Sequence, residues 1–204
     1  MSVERDKLFA GKVVICSGHM IDTPVRPQPR FPREKEGAVR AEIARQLAAW
    51  GIGAGDLAVC SGACGADILF AEECAARGAR VRLLLAKAVD DFVESSVRLE
   101  NSNWVERFHA LRKRCEVANL PARRDEEFPP DQSGGAPQVI DVYARTNLWI
   151  IETAHAAAPD GVTIHALLIW DEKPTGDGPG GTSDFANRVR GLGGTVAIIN
   201  PTRL

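Results

Sequence analysis

The segment DLAVCSGACGAD, residues 56–67, runs a continuous apolar stretch into a serine, two glycines and an aspartate. An earlier segment, KVVICSG at residues 12–18, ends in the same three letters. Runs that are apolar throughout are typical of strands buried on both faces of a parallel sheet. A strand that leads through serine and glycine into a helix is typical of the turns at the carboxyl edge of such a sheet. The repeated triplet therefore predicts two parallel strands that end at the same edge.

Apolar runs and segments of helical period alternate along the chain. The strand candidates are Lys12–Ser17, Asp56–Ser61, Arg80–Ala86, Thr163–Trp170 and Thr195–Asn200. The helix candidates are Lys35–Trp50, Ala66–Arg77, Trp104–Cys115, Val139–Ala157 and Thr182–Gly191. This order predicts a three-layer α/β fold, Rossmann-like and doubly wound around a mainly parallel sheet. We expect a single domain over residues 1–204, with irregular insertions at about 19–33 and 121–138.

The charges of the chain nearly balance, with 25 Lys and Arg against 27 Asp and Glu and a net charge of -2. Such a chain has no global field that would attract nucleic acid or an anionic membrane. The first apolar run is short and follows a charged leader, and no apolar stretch approaches the length of a membrane span. We therefore expect a cytoplasmic protein without a membrane partner, and nucleic acid is disfavoured as a partner.

Four of the five cysteines, Cys16, Cys60, Cys64 and Cys74, lie in apolar or helical contexts. A thiol in such a context usually acts as a small buried hydrophobe, which fits a reducing compartment. Cys60 and Cys64 are four positions apart, and no histidine cluster accompanies them. We expect no metal site.

Three glycine-containing turns are candidates for the walls of one ligand crevice. Glycine lets backbone N–H groups approach a ligand, and the next helix points its positive end at any anion. Spacing alone does not distinguish between two interpretations of the CSG triplets. They are either two walls of one crevice or tight turns without a ligand. A third turn, DGPGGTSDF at residues 177–185, follows an apolar strand and could cradle a phosphate. The candidate ligand-binding residues are Ser17, Gly18, His19, Ser61, Gly62, Cys64, Gly65, Asp67, Asp177, Gly178, Gly180, Gly181 and Thr182.

Several of these side chains have two interpretations. Asp67 either complements the dipole of its helix or accepts hydrogen bonds from ribose hydroxyls. His19 directly follows a strand end, where it either caps the backbone or takes part in chemistry. Arg26, Arg30 and Arg33 belong either to a solvated loop or to a clamp for phosphates, and the clamp is favoured because the loop leaves the end of the first strand.

No stretch has the GxGxxG dinucleotide fingerprint or the phosphate-binding loop of ATPases. Nicotinamide cofactors and ATP hydrolysis are therefore disfavoured, and we expect no cofactor.

Two stretches resemble a known superfamily. SGACGADILFAEECAARGARVRLLLA, residues 61–86, resembles the SG-x-A-x-G-x-D-x-x-A-H/E signature of the SMF/DprA-LOG (SLOG) superfamily. GPGGTSDF, residues 178–185, resembles the PGG-x-GT-x-x-E turn of its LOG branch, the nucleoside monophosphate phosphoribohydrolases. The resemblance implies a Rossmann-like fold that holds a nucleotide or a nucleotide-derived signal. It also implies a homodimer, because LOG-like domains form dimers that complete the site.

The LOG branch also implies a candidate catalytic pair. In that branch an arginine and a glutamate act on the N-glycosidic bond of a nucleoside monophosphate. Arg145, in VYARTNLW, matches the arginine, whereas the motif would place the glutamate at Phe185 and the nearest carboxylate is Asp184. Cleavage of this bond requires a carboxylate that activates water or stabilises the sugar cation. The catalytic candidates are therefore Arg145 and Asp184, and whether the protein is an enzyme stays open.

Three functions follow from the resemblance. The first is a binding module that senses a nucleotide or a nucleotide-derived signal, as SLOG domains do in signalling and bacterial conflict systems. The alternative is a LOG-like phosphoribohydrolase that releases a free base and ribose 5-phosphate. The third is DprA-like binding of single-stranded DNA, against which the net charge of -2 counts.

Overall fold

The computed structural model of the chain describes residues 11–120, 142–173 and 181–204. Its strands are β1 (Val13–Gly18), β2 (Leu57–Cys60), β3 (Arg80–Leu85), β4 (Glu116–Asn119), β5 (Ile164–Ile169) and β6 (Thr195–Ile199). Its helices are α1 (Glu36–Ala49), α2 (Ala66–Ala76), α3 (Val89–Phe92), α4 (Trp104–Arg112), α5 (Val142–Ala157) and α6 (Thr182–Gly191). A π-helical turn, Val93–Val97, continues α3. The insertion expected at about 121–138 lies outside the described residues.

Within these ranges the strands form one parallel sheet in the order β4-β3-β2-β1-β5-β6. The chain builds outward from β1 to β4, then crosses back to place β5 on the other side of β1. The doubly wound, Rossmann-like α/β fold predicted from the sequence is therefore confirmed. In this topology ligands bind outside the carboxyl ends of the strands where the order reverses, which here are β1 and β5.

Helices cover both faces of the sheet. Val14 and Cys16 of β1 belong to the core that includes α1, α2 and α4, whereas Val13 and Ile15 belong to the core that includes α5 and α6. All four side chains are fully buried. Because successive side chains of a strand point to opposite faces, a strand buried on both faces must be apolar throughout. This explains the continuous apolar run of the sequence.

The sequence analysis missed strand β4. Its residues, EVAN, contain no apolar run, and three of the four are exposed. β4 pairs only with β3 within the described sheet, at the edge. An edge strand can form without the burial that makes a central strand recognisable.

The four cysteines predicted to be buried hydrophobes are buried, and all five cysteines of the chain are free. Burial raises the pKa of the Cys64 thiol to about 11, so this group stays protonated at neutral pH. No helix in the described ranges has both the length and the apolar character that crossing a bilayer requires.

Candidate functional site

A cavity of about 440 Å³ opens at the carboxyl ends of β1 and β2, within the size range of small-molecule sites. The loop after β1, the turn after β2, the π-helical turn, the first half of α5 and the start of α6 form its walls. The predicted site residues that line it are Ser17, Gly18, His19, Ser61, Asp67, Gly181 and Thr182.

Gly18 permits a close approach between two strands. A Cβ atom at this position would lie 2.6 Å from the Ile169 carbonyl oxygen, closer than any side chain tolerates. The next residue, His19, donates its backbone N–H to the same oxygen at 2.9 Å. The glycine of the first CSG triplet is therefore required by the pairing of β1 with β5, whether or not a ligand is bound.

The turn between β2 and α2 is closed by its own carboxylate. Asp67 Oδ2 accepts hydrogen bonds from the backbone N–H groups of Gly62, at 3.2 Å, and Ala63, at 3.1 Å. Burial raises the pKa of Asp67 to about 7, although these two hydrogen bonds work to lower it. Asp67 thus occupies the position at the helix N-terminus that a bound anion would otherwise take.

Two further N–H groups of the same turn also have backbone partners. Cys64 N donates to the Ser96 carbonyl at 2.8 Å, and Ala66 N donates to the His19 carbonyl at 3.2 Å. The start of α2 therefore presents few N–H groups to a ligand, in contrast to the expectation for a phosphate-binding turn. Gly62, Cys64 and Gly65 shape the turn but do not line the cavity.

Gly65 fits a crowded backbone position. Its φ of 99° is in the left-handed region, and a Cβ atom there would lie 2.7 Å from the backbone nitrogen of Ile21. Met20 and Gly65 form an isolated antiparallel bridge. The chain that leaves the first CSG triplet therefore packs directly on the turn that follows the second.

The proline- and arginine-rich loop after β1 is organised by Asp22. Its Oδ2 accepts hydrogen bonds from Arg30 N and Phe31 N, each at 2.8 Å, and Phe31 is fully buried. Arg26 and Arg30 line the cavity. Arg33 instead donates to the backbone carbonyls of residues 100 and 101. Two of the three arginines considered for a phosphate clamp are therefore at the cavity.

His19 belongs to a charged cluster on the cavity wall. His19 Nε2 lies 2.9 Å from Asp171 Oδ1 and 3.2 Å from Arg30 Nε. Lys173 Nζ lies 3.4 Å from Asp171 Oδ2. Burial works to raise the pKa of Asp171, but the hydrogen bond with His19 and the charges of His19, Arg30 and Lys173 outweigh it and lower the pKa. The cluster fastens the arginine loop to the chain that leaves β5.

The N-terminus of α6 faces the cavity through Gly181 and the buried Thr182. No described side chain caps this helix. Its first N–H groups and its dipole therefore suit an anion. The other predicted residues of this turn, Asp177, Gly178 and Gly180, lie outside the described residues.

The two catalytic candidates are not among the residues that line the cavity. Asp184 Oδ2 accepts a hydrogen bond from Arg188 Nε at 2.7 Å along α6. Arg145 lies on α5, which instead contributes Tyr143, Thr146 and Asn147 to the cavity.

The sequence analysis missed the cavity residues of α5 and of the π-helical turn. Ser17 Oγ donates to Asn147 Oδ1 at 3.4 Å across 130 positions of sequence. Phe92 and Ser96 form the opposite wall. No motif marked these positions, although Tyr143 is the single tyrosine of the chain. Within the described ranges no cluster of three His, Cys, Asp or Glu side chains could hold a metal.

Comparisons with known proteins give matches among solved structures. No family model and no curated protein matches the sequence. The chain is similar to DNA processing protein A (DprA) from Streptococcus pneumoniae, with 14% identity and a TM-score of 0.40, over 94% of this chain and 60% of that chain. It is also similar to the Moco carrier protein from Chlamydomonas reinhardtii, with 10% identity and a TM-score of 0.32, over 94% and 91% of the two chains. This chain thus spans less than two thirds of the DprA chain.

Proposed function

We propose that this protein binds a nucleotide or a nucleotide-derived small molecule in the cavity at the carboxyl ends of β1 and β2. The observation that carries the proposal is the convergence of two arginines and of the α6 N-terminus, which no described side chain caps, on one cavity of about 440 Å³. Arginine and helix N-termini are the groups that proteins use most often to hold phosphate.

Arg26 is the arginine best placed to contact a ligand. Its side chain is 42% exposed and its partners, Asp22 Oδ1 at 3.3 Å and the Gln28 carbonyl at 3.2 Å, belong to the same loop. Arg30 is more buried and also holds the cluster of His19 and Asp171. We propose that Arg26 and the start of α6 hold the phosphate. Arg30 adds a second positive charge at the cavity wall.

The rest of the cavity suits a nucleoside. Ser17, Asn147 and Asp67 supply polar groups that can bind sugar hydroxyls. Tyr143, which is partly exposed, supplies aromatic surface against which a base can pack. This mixture of apolar walls and a few convergent polar groups is common in small-molecule sites.

The phosphoribohydrolase alternative stays a proposal, and the cavity favours a different carboxylate for it. Asp184 is ion-paired with Arg188, whereas Asp67 lines the cavity. If the protein hydrolyses a nucleotide, Asp67 is better placed than Asp184 to contact the substrate in this cavity. The homodimer and the cytoplasmic location also stay predictions, and sedimentation of the purified protein tests the dimer.

A thermal-shift screen against nucleoside monophosphates, NAD, ADP-ribose and cyclic nucleotides tests the binding proposal. A ligand that binds only the folded state raises the melting temperature with concentration. We expect at least one nucleotide to do so for the wild type and to do so more weakly for Arg26→Gln. Arg33→Gln, a change in the same loop but away from the cavity, is the matched control. The absence of a shift with every nucleotide would refute the proposal.

A further inference from the structure

A group of hydroxyls and one ammonium surrounds the phenol of Tyr143 at the cavity wall. Ser96 Oγ donates to the phenol oxygen at 3.4 Å. Lys87 Nζ lies 5.3 Å from the centre of the ring, and Lys87 and Ser95 also hydrogen-bond the phenol. Tyr143 and Ser96 line the cavity. The group joins the segment after β3 and the π-helical turn to the start of α5, where Tyr143 lies 47 positions after Ser96.

The serines of this group are held in place by backbone contacts. Ser95 Oγ donates to the Asp91 carbonyl at 2.8 Å and lies 3.2 Å from Ser96 Oγ. The Ser96 carbonyl accepts the N–H of Cys64 at 2.8 Å, so its backbone is fixed to the turn after β2. π-helical turns are rare and occur frequently at functional sites. Here the turn directs Ser96 Oγ towards the phenol and places Ser95 Oγ beside Ser96 Oγ.

The environment favours ionisation of the phenol. Burial works to raise the pKa of Tyr143, but the hydrogen bonds with Ser95, Ser96 and Lys87 and the charge of Lys87 outweigh it and lower the pKa. The first turn of α5, on which Tyr143 lies, contains no acidic residue that would oppose this effect. An acid with a lowered pKa that faces a ligand cavity is suited to donate a proton.

We propose that Tyr143 is a catalytic residue of this cavity, the general acid that protonates the leaving base when water cleaves the N-glycosidic bond of a bound nucleotide. This inference rests on the proposed function. In the step, the water oxygen bonds to the sugar carbon while the carbon–nitrogen bond breaks and its electron pair goes to the base nitrogen. The phenolic proton passes to that nitrogen, and the proton released by the water restores the phenol. Lys87 is the positioning residue that stabilises the phenolate meanwhile.

A pH titration of the free protein tests the phenol directly, because the chain has a single tyrosine and its tyrosinate absorbance reports on one group. We expect Tyr143 to titrate below the ordinary pKa of about 10, and Lys87→Met to raise the pKa towards that value. Lys113→Met removes a charge at an exposed position after α4 and serves as the control, since it should change nothing. An ordinary pKa in the wild type, or no response to Lys87→Met, overturns the proposal.

Turnover completes the test, with AMP, NAD and ADP-ribose as probes and release of free base or nicotinamide as the readout. We expect Tyr143→Phe to keep the thermal shift of the wild type but to lose at least about 100-fold in rate. The rate of the wild type should fall as the pH rises through the pKa of the phenol. In Lys87→Met this fall should occur at a higher pH, because the pKa of the phenol is raised. Wild-type turnover in Tyr143→Phe, or binding without turnover, overturns the inference and leaves the binding function intact. Absence of binding refutes the binding function as well.

Discussion

Asp67 Oδ2 lies 3.1 Å from Ala63 N, so a carboxyl group of the helix that follows the second CSG triplet occupies the N-terminus of that helix. The first CSG triplet leads instead into a loop, and the His19 carbonyl of that loop accepts the Ala66 N–H at the same helix start. The two triplets therefore form one structure, in which the loop after the first covers the turn after the second. The N-terminus left facing the cavity is that of α6, through Gly181 and Thr182.

The buried carboxyl of Asp67 makes stability depend on pH. Burial raises its pKa in the folded protein to about 7, above the value near 3.9 of an unfolded chain. Its contribution to stability is therefore fully present below about pH 4 and is lost as the pH rises through 7. We expect the free energy of unfolding of the wild type, relative to Asp67→Asn, to fall by up to about 4 kcal/mol between pH 4 and pH 8. Urea unfolding of both proteins across this range measures the difference, and a constant difference would contradict the prediction.

Gly65 should not tolerate a side chain. Gly65→Ala forces a Cβ atom to within 2.7 Å of Ile21 N at a φ of 99°. We expect the free energy of unfolding to fall by about 2 kcal/mol or more. Gly37→Ala is the matched control, because a Cβ atom there meets nothing within 4 Å in the exposed first turn of α1. It should stabilise the protein by about 0.5 kcal/mol or more. Equal stability of the two variants would show that the turn is less constrained than described.

Arg26 should contribute affinity for phosphate-bearing ligands. We expect Arg26→Gln to weaken nucleotide binding about tenfold, since a charge-assisted hydrogen bond contributes about 1.5 kcal/mol or more. The salt dependence of binding should decrease as well, because one partly exposed cation is removed. Calorimetric titrations at two salt concentrations measure both effects. Arg33→Gln should bind as the wild type does, and an equal loss in the two variants would indicate a general effect of charge.

The cysteines should differ in reactivity. Cys115 is half-buried, whereas Cys16, Cys60, Cys64 and Cys74 are buried. Burial raises the pKa of each of these five thiols, so all react slowly, and the buried four react only when the structure opens. We expect a thiol reagent to modify Cys115 first in the native protein and the others only with denaturant. Mass spectrometry counts the labels, and fast labelling of a β1 or β2 cysteine would contradict the core described for the sheet.

The sequence predicted the central strands and the long helices, because burial on both faces of β1 and β2 leaves a continuous apolar run. It did not predict β4, whose edge position removes that signal. Nor did the sequence show that Asp67 would accept hydrogen bonds from the backbone of its own turn. An acidic residue in the first turn of a helix can equally bind a ligand or complement the helix dipole. The contact of Ser96 with Tyr143 joins residues 47 positions apart and depends on how the sheet brings its loops together. Such contacts leave no local pattern.

Backbone amide NMR spectra recorded during a titration with AMP test the central claim most directly. The amides report both whether the nucleotide binds and where. We expect saturable shift changes at Gly18, Ala63 and Thr182, which line the cavity, and none at Gly37 or Gly161, which lie in open positions elsewhere. Shift changes confined to other parts of the protein, or none at all with AMP and the other nucleotides, would contradict it.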